Sequence, residues 1–155
     1  MNAEQAEIQG RIPHRPPFLF VDRIVDETHD ALTAEWEVAH DLPCFAGHYP
    51  HHPVLPGVLI TELCLQCAAL LLSRSGPSQV SAESQPVLTR IGVARFKKIV
   101  RPGETLRARV RLVEALGRAR YMSARVTSAA ELVLDVRFTV ALVVHPKITA
   151  GVEAS

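Results

Sequence analysis

Two short stretches near the start of the chain have the hydrophobic patterns of strands. Residues 18–25 (FLFVDRIV) are rich in aromatic and β-branched side chains, which strands favour. Residues 31–38 (ALTAEWEV) alternate between apolar and polar positions, as a half-buried strand does. Two strands are therefore predicted here. Residues 1–10, before them, indicate only a short or frayed helix.

A longer apolar run extends from Gly57 to about Arg74 without a helix breaker. Its apolar residues would lie on nearly all sides of a helix, so this helix is predicted to lie in the interior. The polar residues 75–86 form a predicted loop, in which Gly76 and Pro77 are helix stop signals.

Strand-like runs follow the predicted helix, with turn signals between them. Their ranges are 87–98, 105–115, 119–128 and 131–144. A sheet wrapped around one apolar helix satisfies this order of elements, which is the α+β arrangement called a hot-dog fold. Such a sheet leaves parts of the helix and a sheet edge uncovered, so dimerisation is expected. Residues 1–155 are predicted to form one domain, with a disordered tail from about 147 to 155.

The composition is that of an ordinary globular protein, with 48% hydrophobic and 21% charged residues. The formal net charge of +1 does not point to nucleic acid or to an anionic membrane as a partner. The N-terminus has no apolar segment behind a basic start, and the longest apolar run contains Glu62 and Gln66. Since a bilayer takes about 20 apolar residues to cross, no membrane span is expected, and the cytosol is the predicted location.

The cysteine pair Cys64 and Cys67 has CxxC spacing, which suggests a redox or metal site. A redox CxxC needs an exposed thiol of low pKa at a helix start. Here both thiols lie inside the apolar helical run, and no second cysteine pair at zinc-ribbon spacing accompanies them. They are therefore predicted to be small core residues.

The carboxylate of Glu62 is surrounded in sequence by leucine and isoleucine residues. A buried carboxylate is costly unless it is paired or protonated. Because burial in general raises the pKa of a carboxyl group, a buried glutamate is a usable general acid. Gln66 lies four residues later on the same helical face and could hold the carboxyl by a hydrogen bond. The alternative, in which this face reaches solvent or a subunit seam, stays open.

The loop before the helix, residues 47–57 (GHYPHHPVLPG), combines histidines with Pro50, Pro53 and Pro56. The prolines stiffen the loop, and stiffness is what positioning a histidine requires. At the helix start, the free N–H groups could bind a carbonyl oxygen that gains negative charge. Gly57 would let a substrate approach this backbone closely.

Zinc binding is the competing interpretation for His48, His51 and His52. Adjacent histidines in a proline-stiffened segment do not converge easily, and no HExxH motif supports a metal site. The remaining histidines are expected to have surface or structural roles: His14, His29, His40 and His145. The chain also lacks GxSxG, P-loop and GxGxxG motifs, so serine hydrolases, NTPases and dinucleotide enzymes lack their usual signals.

Residues 45–66 (FAGHYPHHPVLPGVLITELCLQ) resemble the active-site pattern of FabZ-type 3-hydroxyacyl-(acyl carrier protein) dehydratases, FxGHFPGxPxxPGVLxxExxxQ. Residues 12–23 (IPHRPPFLFVDR) resemble that family's PHRxPFLxVDR block, and residues 94–103 (ARFKKIVRPG) resemble its ARFxxxVxPGD block. The resemblance covers roughly residues 12–144.

The resemblance implies a hot-dog dimer, often assembled as a trimer of dimers, with active sites at the dimer seam. His48 of one subunit would then face Glu62 of the other and remove the proton α to the thioester carbonyl. Glu62 would protonate or orient the departing 3-hydroxyl, and the Gly57 N–H would hold the thioester oxygen. No cofactor and no metal are implied, and the product would be a trans-2-enoyl thioester of fatty acid, related lipid or polyketide biosynthesis. The supporting residues would be Gln66, Pro56 and Val58.

The implied partner, an acyl carrier protein, is acidic, and this chain has a local basic excess to meet it. Seven Lys or Arg residues face one acid, Glu104, between residues 95 and 111: Arg95, Lys97, Lys98, Arg101, Arg107, Arg109 and Arg111. Docking is expected at Lys97, Lys98 and Arg101. The alternative is a solvated strand edge, where lysines discourage strand pairing.

The chain departs from the family pattern mainly at His51, where the family has glycine. Tyr49 replaces phenylalanine, and Leu63 and Leu65 stand where the family has smaller or different residues. The resemblance implies a tunnel for the acyl chain, lined by the apolar helix and nearby strands. These changes would narrow that tunnel or change which substrate is used. Two alternatives to dehydration stay open. One is a hot-dog acyl thioesterase, which would share the fold and the binding of acyl chains, and the other, for which His51 is the reason, is a non-catalytic module that binds acyl thioesters.

Overall fold

The computed structural model describes residues 1–74 and 84–144 of the chain. Its helices are α1 (Ala3–Arg11) and α2 (Gly57–Ser73), with a short 3-10 turn at Pro43–Ala46. Its strands are β1 (Arg23–Glu27), β2 (Ala31–Glu37), β3 (Ser84–Phe96), β4 (Thr105–Leu116), β5 (Ala119–Ser128) and β6 (Glu131–Val144). None of the described helices is both long enough and apolar enough to cross a membrane.

The strands form one six-stranded sheet in the order β1-β2-β4-β5-β6-β3, with antiparallel neighbours throughout. Alternation along β4 shows how the sheet covers the core. Leu106, Ala108 and Val110 are fully buried on the side of α2, while the arginines between them are exposed. One face of the sheet therefore packs on α2 and the other carries charge, as a half-buried sheet requires.

Helix α2 lies in the interior, as its all-round apolar sequence predicted. Leu63, Cys64 and Leu70 are completely buried, and α2 contacts β2, β4 and the strands beyond them. Burying a leucine side chain stabilises a fold by about 1.5–3 kcal/mol, so this helix supplies much of the hydrophobic stabilisation. The structure has the predicted hot-dog arrangement.

The predicted boundaries of β2, β4, β5, β6 and α2 lie within one residue of the observed ones. β3 begins at Ser84, inside the predicted loop, and ends at Phe96 rather than at residue 98. The rest of that loop, residues 75–83, lies outside the described residues. His145 and the predicted disordered tail also lie outside them.

The prediction for residues 18–25 is wrong in its first half, because β1 covers only Arg23–Glu27. The reason is a side-chain amide on α2. The Phe20 N–H donates to Gln66 Oε1 at 2.8 Å, and Gln66 Nε2 donates to the Phe18 carbonyl at 3.1 Å. The backbone of this segment is thus held by the helix, and strand pairing starts only after it.

The connection between β3 and β4 is fixed by Glu104. Its carboxylate accepts hydrogen bonds from the Arg101 N–H at 2.6 Å, Ser128 Oγ at 2.7 Å and Lys98 Nζ at 3.0 Å. Partial burial would raise the pKa of Glu104, but these hydrogen bonds outweigh burial and hold the pKa below its usual value. The turn is tied to the loop before α2, since the Leu55 N–H donates to the Val100 carbonyl at 2.8 Å.

Candidate active site

His48 lies between the 3-10 turn and α2, and its imidazole is held by the loop itself. Its backbone N–H donates to the Cys44 carbonyl at 3.0 Å, and its Nδ1 lies 2.8 Å from the Val54 carbonyl oxygen. A carbonyl oxygen cannot donate, so Nδ1 carries the proton in this hydrogen bond. In the neutral ring the lone pair is then on Nε2, which is the form of imidazole that accepts a proton.

The residues after His48 form a tight exposed turn. Tyr49 has a left-handed φ of +52°, an uncommon conformation for a side chain of this size, and its carbonyl accepts the His52 N–H at 2.9 Å. Tyr49, His51 and His52 are exposed. In residues 1–74 and 84–144, no group of three His, Cys, Asp or Glu side chains is placed to hold a metal ion.

The first residue of α2 is Gly57, directly after Pro56. A Cβ at position 57 would lie 2.9 Å from Cε1 of Phe96, the last residue of β3, so any larger residue would displace that ring. As the first helical amide, the Gly57 N–H has no acceptor within the helix and lies at the positive end of the helix dipole. Val58 beside it is 74% exposed, so this end of α2 is accessible in the single chain.

Glu62 lies one turn into α2, with its side chain only 18% exposed. Gln66 Nε2 donates to Glu62 Oε1 at 3.1 Å, which is the hydrogen bond expected from their spacing. Gln66 is completely buried, and its amide also bonds to the backbone of Phe18 and Phe20. The Glu62 carboxyl is therefore held by the buried Gln66 amide and is not simply solvated.

His14 is the site residue that the sequence interpretation missed, because it was grouped with the structural histidines. Its Nε2 lies 3.5 Å from Glu62 Oε1, on the same oxygen that Gln66 contacts. The available signal was its place in the block at residues 12–23, which the resemblance identified without assigning the histidine a role.

The described part of the chain contains no hydrogen bond or ion pair between His48 and Glu62. His48 lies on the loop that precedes α2. Glu62 lies on the same face of α2 as Gln66, and this face is next to His14. The predicted base and the predicted acid are thus each held by hydrogen bonds within one chain, but they are not in contact with each other.

Comparisons with known proteins identify the family of this chain. A model of the FabA-like domain matches residues 12–138. A 3-hydroxyacyl-(acyl carrier protein) dehydratase FabZ from Nitrosospira multiformis is 40% identical over 140 residues, covering 84% of this chain and 94% of that protein. The chain belongs to the FabZ dehydratase family. A FabZ from Thermotoga petrophila is 42% identical over 111 residues, covering 71% of this chain and 77% of its own length.

Solved structures of low sequence identity share the fold of this FabZ family member. The dehydratase heterocomplex ApeI:P from Xenorhabdus doucetiae matches with a TM-score of 0.73 at 13% identity, covering 88% of this chain and 90% of that chain. A hypothetical thioesterase from Streptococcus pneumoniae with coenzyme A matches with a TM-score of 0.61 at 14% identity, covering 79% and 86%. The fold is therefore common to both reaction classes, and only the site can separate them.

The basic residues between positions 97 and 111 of this FabZ family member fall into two places. Arg107, Arg109 and Arg111 lie on the exposed face of β4. Lys97 and Arg101 are exposed beside the loop that carries His48, and neither side chain has an ion pair among the described residues.

Lys98 differs from its basic neighbours because its charge is already neutralised. Its Nζ lies 3.0 Å from Glu104 Oε1 and 3.2 Å from Glu131 Oε2. Hydrogen bonds to these two carboxylates raise the pKa of Lys98. Its charge is therefore used in holding the connection between β3 and β4.

The CxxC cysteines are core residues, as predicted. Cys64 and Cys67 are completely buried in α2. Burial raises the pKa of the Cys67 thiol to about 12 and holds the pKa of Cys64 well above its usual value. Neither thiol is suited to redox or metal chemistry.

We expect the native protein to expose one reactive thiol out of three. Cys44 is partly accessible, although burial raises its pKa, whereas Cys64 and Cys67 are enclosed. Titration with a thiol reagent should modify Cys44 slowly in the native state and all three cysteines after unfolding. A Cys44→Ala variant is the control and should give no native labelling. Rapid labelling of two further thiols would contradict this description of α2.

Proposed function

We propose that this protein eliminates water from 3-hydroxyacyl thioesters carried by an acyl carrier protein, giving trans-2-enoyl thioesters. The observation that carries the proposal is the hydrogen bond from His48 Nδ1 to the Val54 carbonyl, which leaves Nε2 as a base next to the start of α2. The FabZ names of its relatives support the same reaction. The product would enter fatty acid, related lipid or polyketide biosynthesis, in the cytosol as the sequence predicts.

In this mechanism His48 Nε2 accepts the proton from the carbon next to the thioester carbonyl. The carbonyl oxygen gains negative charge, which the Gly57 N–H and the helix dipole stabilise. The electron pair then forms the carbon–carbon double bond as the 3-hydroxyl leaves. Glu62 gives that hydroxyl its proton, so water departs, and the two side chains, neutral at the start, end as an imidazolium and a carboxylate. The enzyme is restored when His48 loses its proton to solvent and the Glu62 carboxylate takes up a proton.

The thioesterase alternative would use a carboxylate to activate water, as the corresponding hot-dog enzymes do. The non-catalytic alternative depended on His51, which replaces the family glycine. The His51 side chain is exposed, and no hydrogen bond joins it to His48 among the described residues. Dehydration is therefore the proposal that the site supports best.

We further propose that the active site is completed by a second copy of the chain. β3 is a long edge strand of the sheet, and an unpaired edge is a template for another strand. It exposes apolar side chains that are 39–49% accessible: Val87, Leu88, Ile91, Val93 and Phe96. Phe96 also touches the Gly57 position, so a symmetric dimer through β3 would bring its partner beside the start of α2. A trimer of such dimers stays a prediction from the resemblance.

The carrier protein, in our proposal, docks at Lys97 and Arg101. Both are exposed beside the loop that carries His48, and the backbone hydrogen bond from Leu55 to Val100 fixes the two segments together. Lys98, which the sequence placed in the same docking surface, contributes less because two carboxylates neutralise it. An acidic carrier would be attracted to this edge and would deliver its thioester near Gly57.

The reaction itself is tested by mass spectrometry with 3-hydroxyacyl carrier-protein thioesters of several lengths. We expect loss of water without release of free carrier thiol. His48→Ala and Glu62→Gln should each reduce kcat by about 10²–10⁴-fold, the usual contribution of general acid–base catalysis. Glu62→Gln should keep or raise Tm, because an amide oxygen still accepts the Gln66 hydrogen bond and an amide has nearly the shape of the carboxyl group. Release of thiol without dehydration would favour the thioesterase.

Subunit complementation tests whether one site uses two subunits. His48→Ala and Glu62→Gln proteins are mixed in equal amounts and allowed to exchange subunits. In a mixed dimer with shared sites, one site has both wild-type residues, so random exchange should restore about a quarter of wild-type activity. Each variant alone, taken through the same exchange, is the control. If His48 and Glu62 of one subunit form a site, mixing restores nothing.

The docking surface is tested by charge reversal. Arg101→Glu should raise KM for acyl carrier protein substrates by about 10-fold, since a like charge would face the acidic partner, with kcat nearly unchanged. KM for a carrier-free pantetheine thioester should not change. Arg111→Glu, on the exposed face of β4, is the matched control and should leave both KM values unchanged. An effect of Arg111→Glu equal to that of Arg101→Glu would move the docking surface to the outer face of the sheet.

A further inference from the structure

His14 lies in the connection between α1 and β1, and the backbone around it is held in place. Arg15 Nη1 donates to the Ile12 carbonyl at 2.8 Å and to the His14 carbonyl at 2.7 Å. Ile12 is buried in the core cluster. The His14 imidazole is therefore carried by a segment that hydrogen bonds hold in place. The His14 side chain is 27% exposed, and its Nε2 lies 3.5 Å from Glu62 Oε1.

The two nitrogens of the His14 ring have different surroundings. Nε2 faces the Glu62 carboxyl, whereas Nδ1 is enclosed and has no hydrogen-bond partner among the described residues. A proton on Nδ1 would bury a donor without an acceptor, which is the more costly way to leave a polar atom unpaired. The ring is therefore expected to be neutral with its proton on Nε2, because the imidazolium would also place an N–H at Nδ1.

With this tautomer, two N–H donors converge on one oxygen of Glu62. Gln66 Nε2 lies 3.1 Å from Oε1 and His14 Nε2 lies 3.5 Å from the same atom. The second distance is long for a hydrogen bond, and such bonds in catalytic sites commonly tighten when substrate binds. An oxygen that accepts two N–H groups is poorly placed to hold a proton as well, so the acid proton belongs on Oε2.

We propose that His14 is a positioning residue, which acts with Gln66 to keep Glu62 Oε1 as an acceptor and to leave Oε2 as the atom that carries the acid proton. This inference rests on the proposed role of Glu62 as the acid that protonates the leaving hydroxyl. It extends that role, because it assigns the proton to one of two otherwise equivalent oxygens. It also gives His14 a role that is separate from the role of His48.

The two donors act from different parts of the chain. The Gln66 amide comes from one turn further along α2, and His14 comes from the segment after α1. The same Gln66 amide also binds the backbone of Phe18 and Phe20, so the segment that contains His14 is anchored to α2 only a few residues later. The carboxyl thus lies between two side chains whose backbone segments are joined by hydrogen bonds a few residues away.

The first test compares His14→Gln with His14→Leu. A glutamine amide nitrogen can take the position of Nε2 and still donate to Oε1, whereas leucine fills similar space without a donor. We expect His14→Leu to lower kcat by about 10–100-fold, the scale of a small misplacement of a catalytic group, with KM within about threefold. His14→Gln should keep kcat within about fivefold of the parent. Equal losses in both variants, or no loss in either, would overturn the inference.

A double variant tests whether His14 acts through Glu62. In the Glu62→Gln background, adding His14→Leu should change the residual kcat by less than about threefold, because the carboxyl group that His14 positions has already been replaced by an amide. Losses that multiply would mean that His14 has a separate role, and would overturn the proposal. Tm of each variant is measured alongside, so that unfolding is not mistaken for lost chemistry.

The tautomer can be read without any turnover. Imidazole nitrogen-15 shifts of the unliganded parent, assigned by comparison with His14→Gln, should show a protonated Nε2 and an unprotonated Nδ1 at His14. A proton on Nδ1 would overturn the inference whether or not the enzyme is active. If instead the parent has the expected tautomer but dehydrates no thioester, the proposed function fails and the paired donors on Oε1 are supported as structure alone.

Discussion

The buried amide of Gln66 is the interaction on which the rest of the site depends. An amide enclosed in a hydrophobic core is costly unless all of its groups are paired. Here the oxygen accepts from the Phe20 N–H, and the nitrogen donates to Phe18 and to Glu62. One side chain on α2 thus determines where the sheet begins, because it holds the preceding segment away from strand pairing. It also gives the proposed acid its orientation.

The proposed base has a separate support, built from the loop before α2. The prolines limit the loop, but its position is set by hydrogen bonds from His48 to Cys44 and Val54 and from Leu55 to Val100. The proposed acid and the proposed base are therefore each held by hydrogen bonds within one chain, without a contact between them. The exposed apolar edge at β3 explains this separation if the function requires a second subunit. Rigid supports that meet across a seam can hold reacting groups as closely as one chain can.

Local patterns predicted most of the fold, and non-local pairing accounts for the errors. The periodicity of α2, β2 and β4 was sufficient because burial on one face or on all sides leaves a direct trace in sequence. β1 was predicted too early because the partner of residues 18–20 is a side chain on a distant helix. The basic neighbours of Lys98 led to the prediction of a docking surface, but they did not indicate that Glu104 and Glu131 pair with its charge. His14 was overlooked for the same reason, since nothing local identifies Glu62 as its neighbour.

The sequence by itself determined the family, the elements and the residue types available for the chemistry. It also indicated the contact between Gln66 and Glu62, because one helical turn separates them and the geometry of a helix is known in advance. Only the tertiary structure decided which nitrogen of His48 is engaged, which oxygen of Glu62 lies near both His14 and Gln66, and which lysine is already neutralised. Each of these depends on a hydrogen bond or an ion pair with groups outside the immediate motif, and directions of that kind follow from packing rather than from composition or spacing.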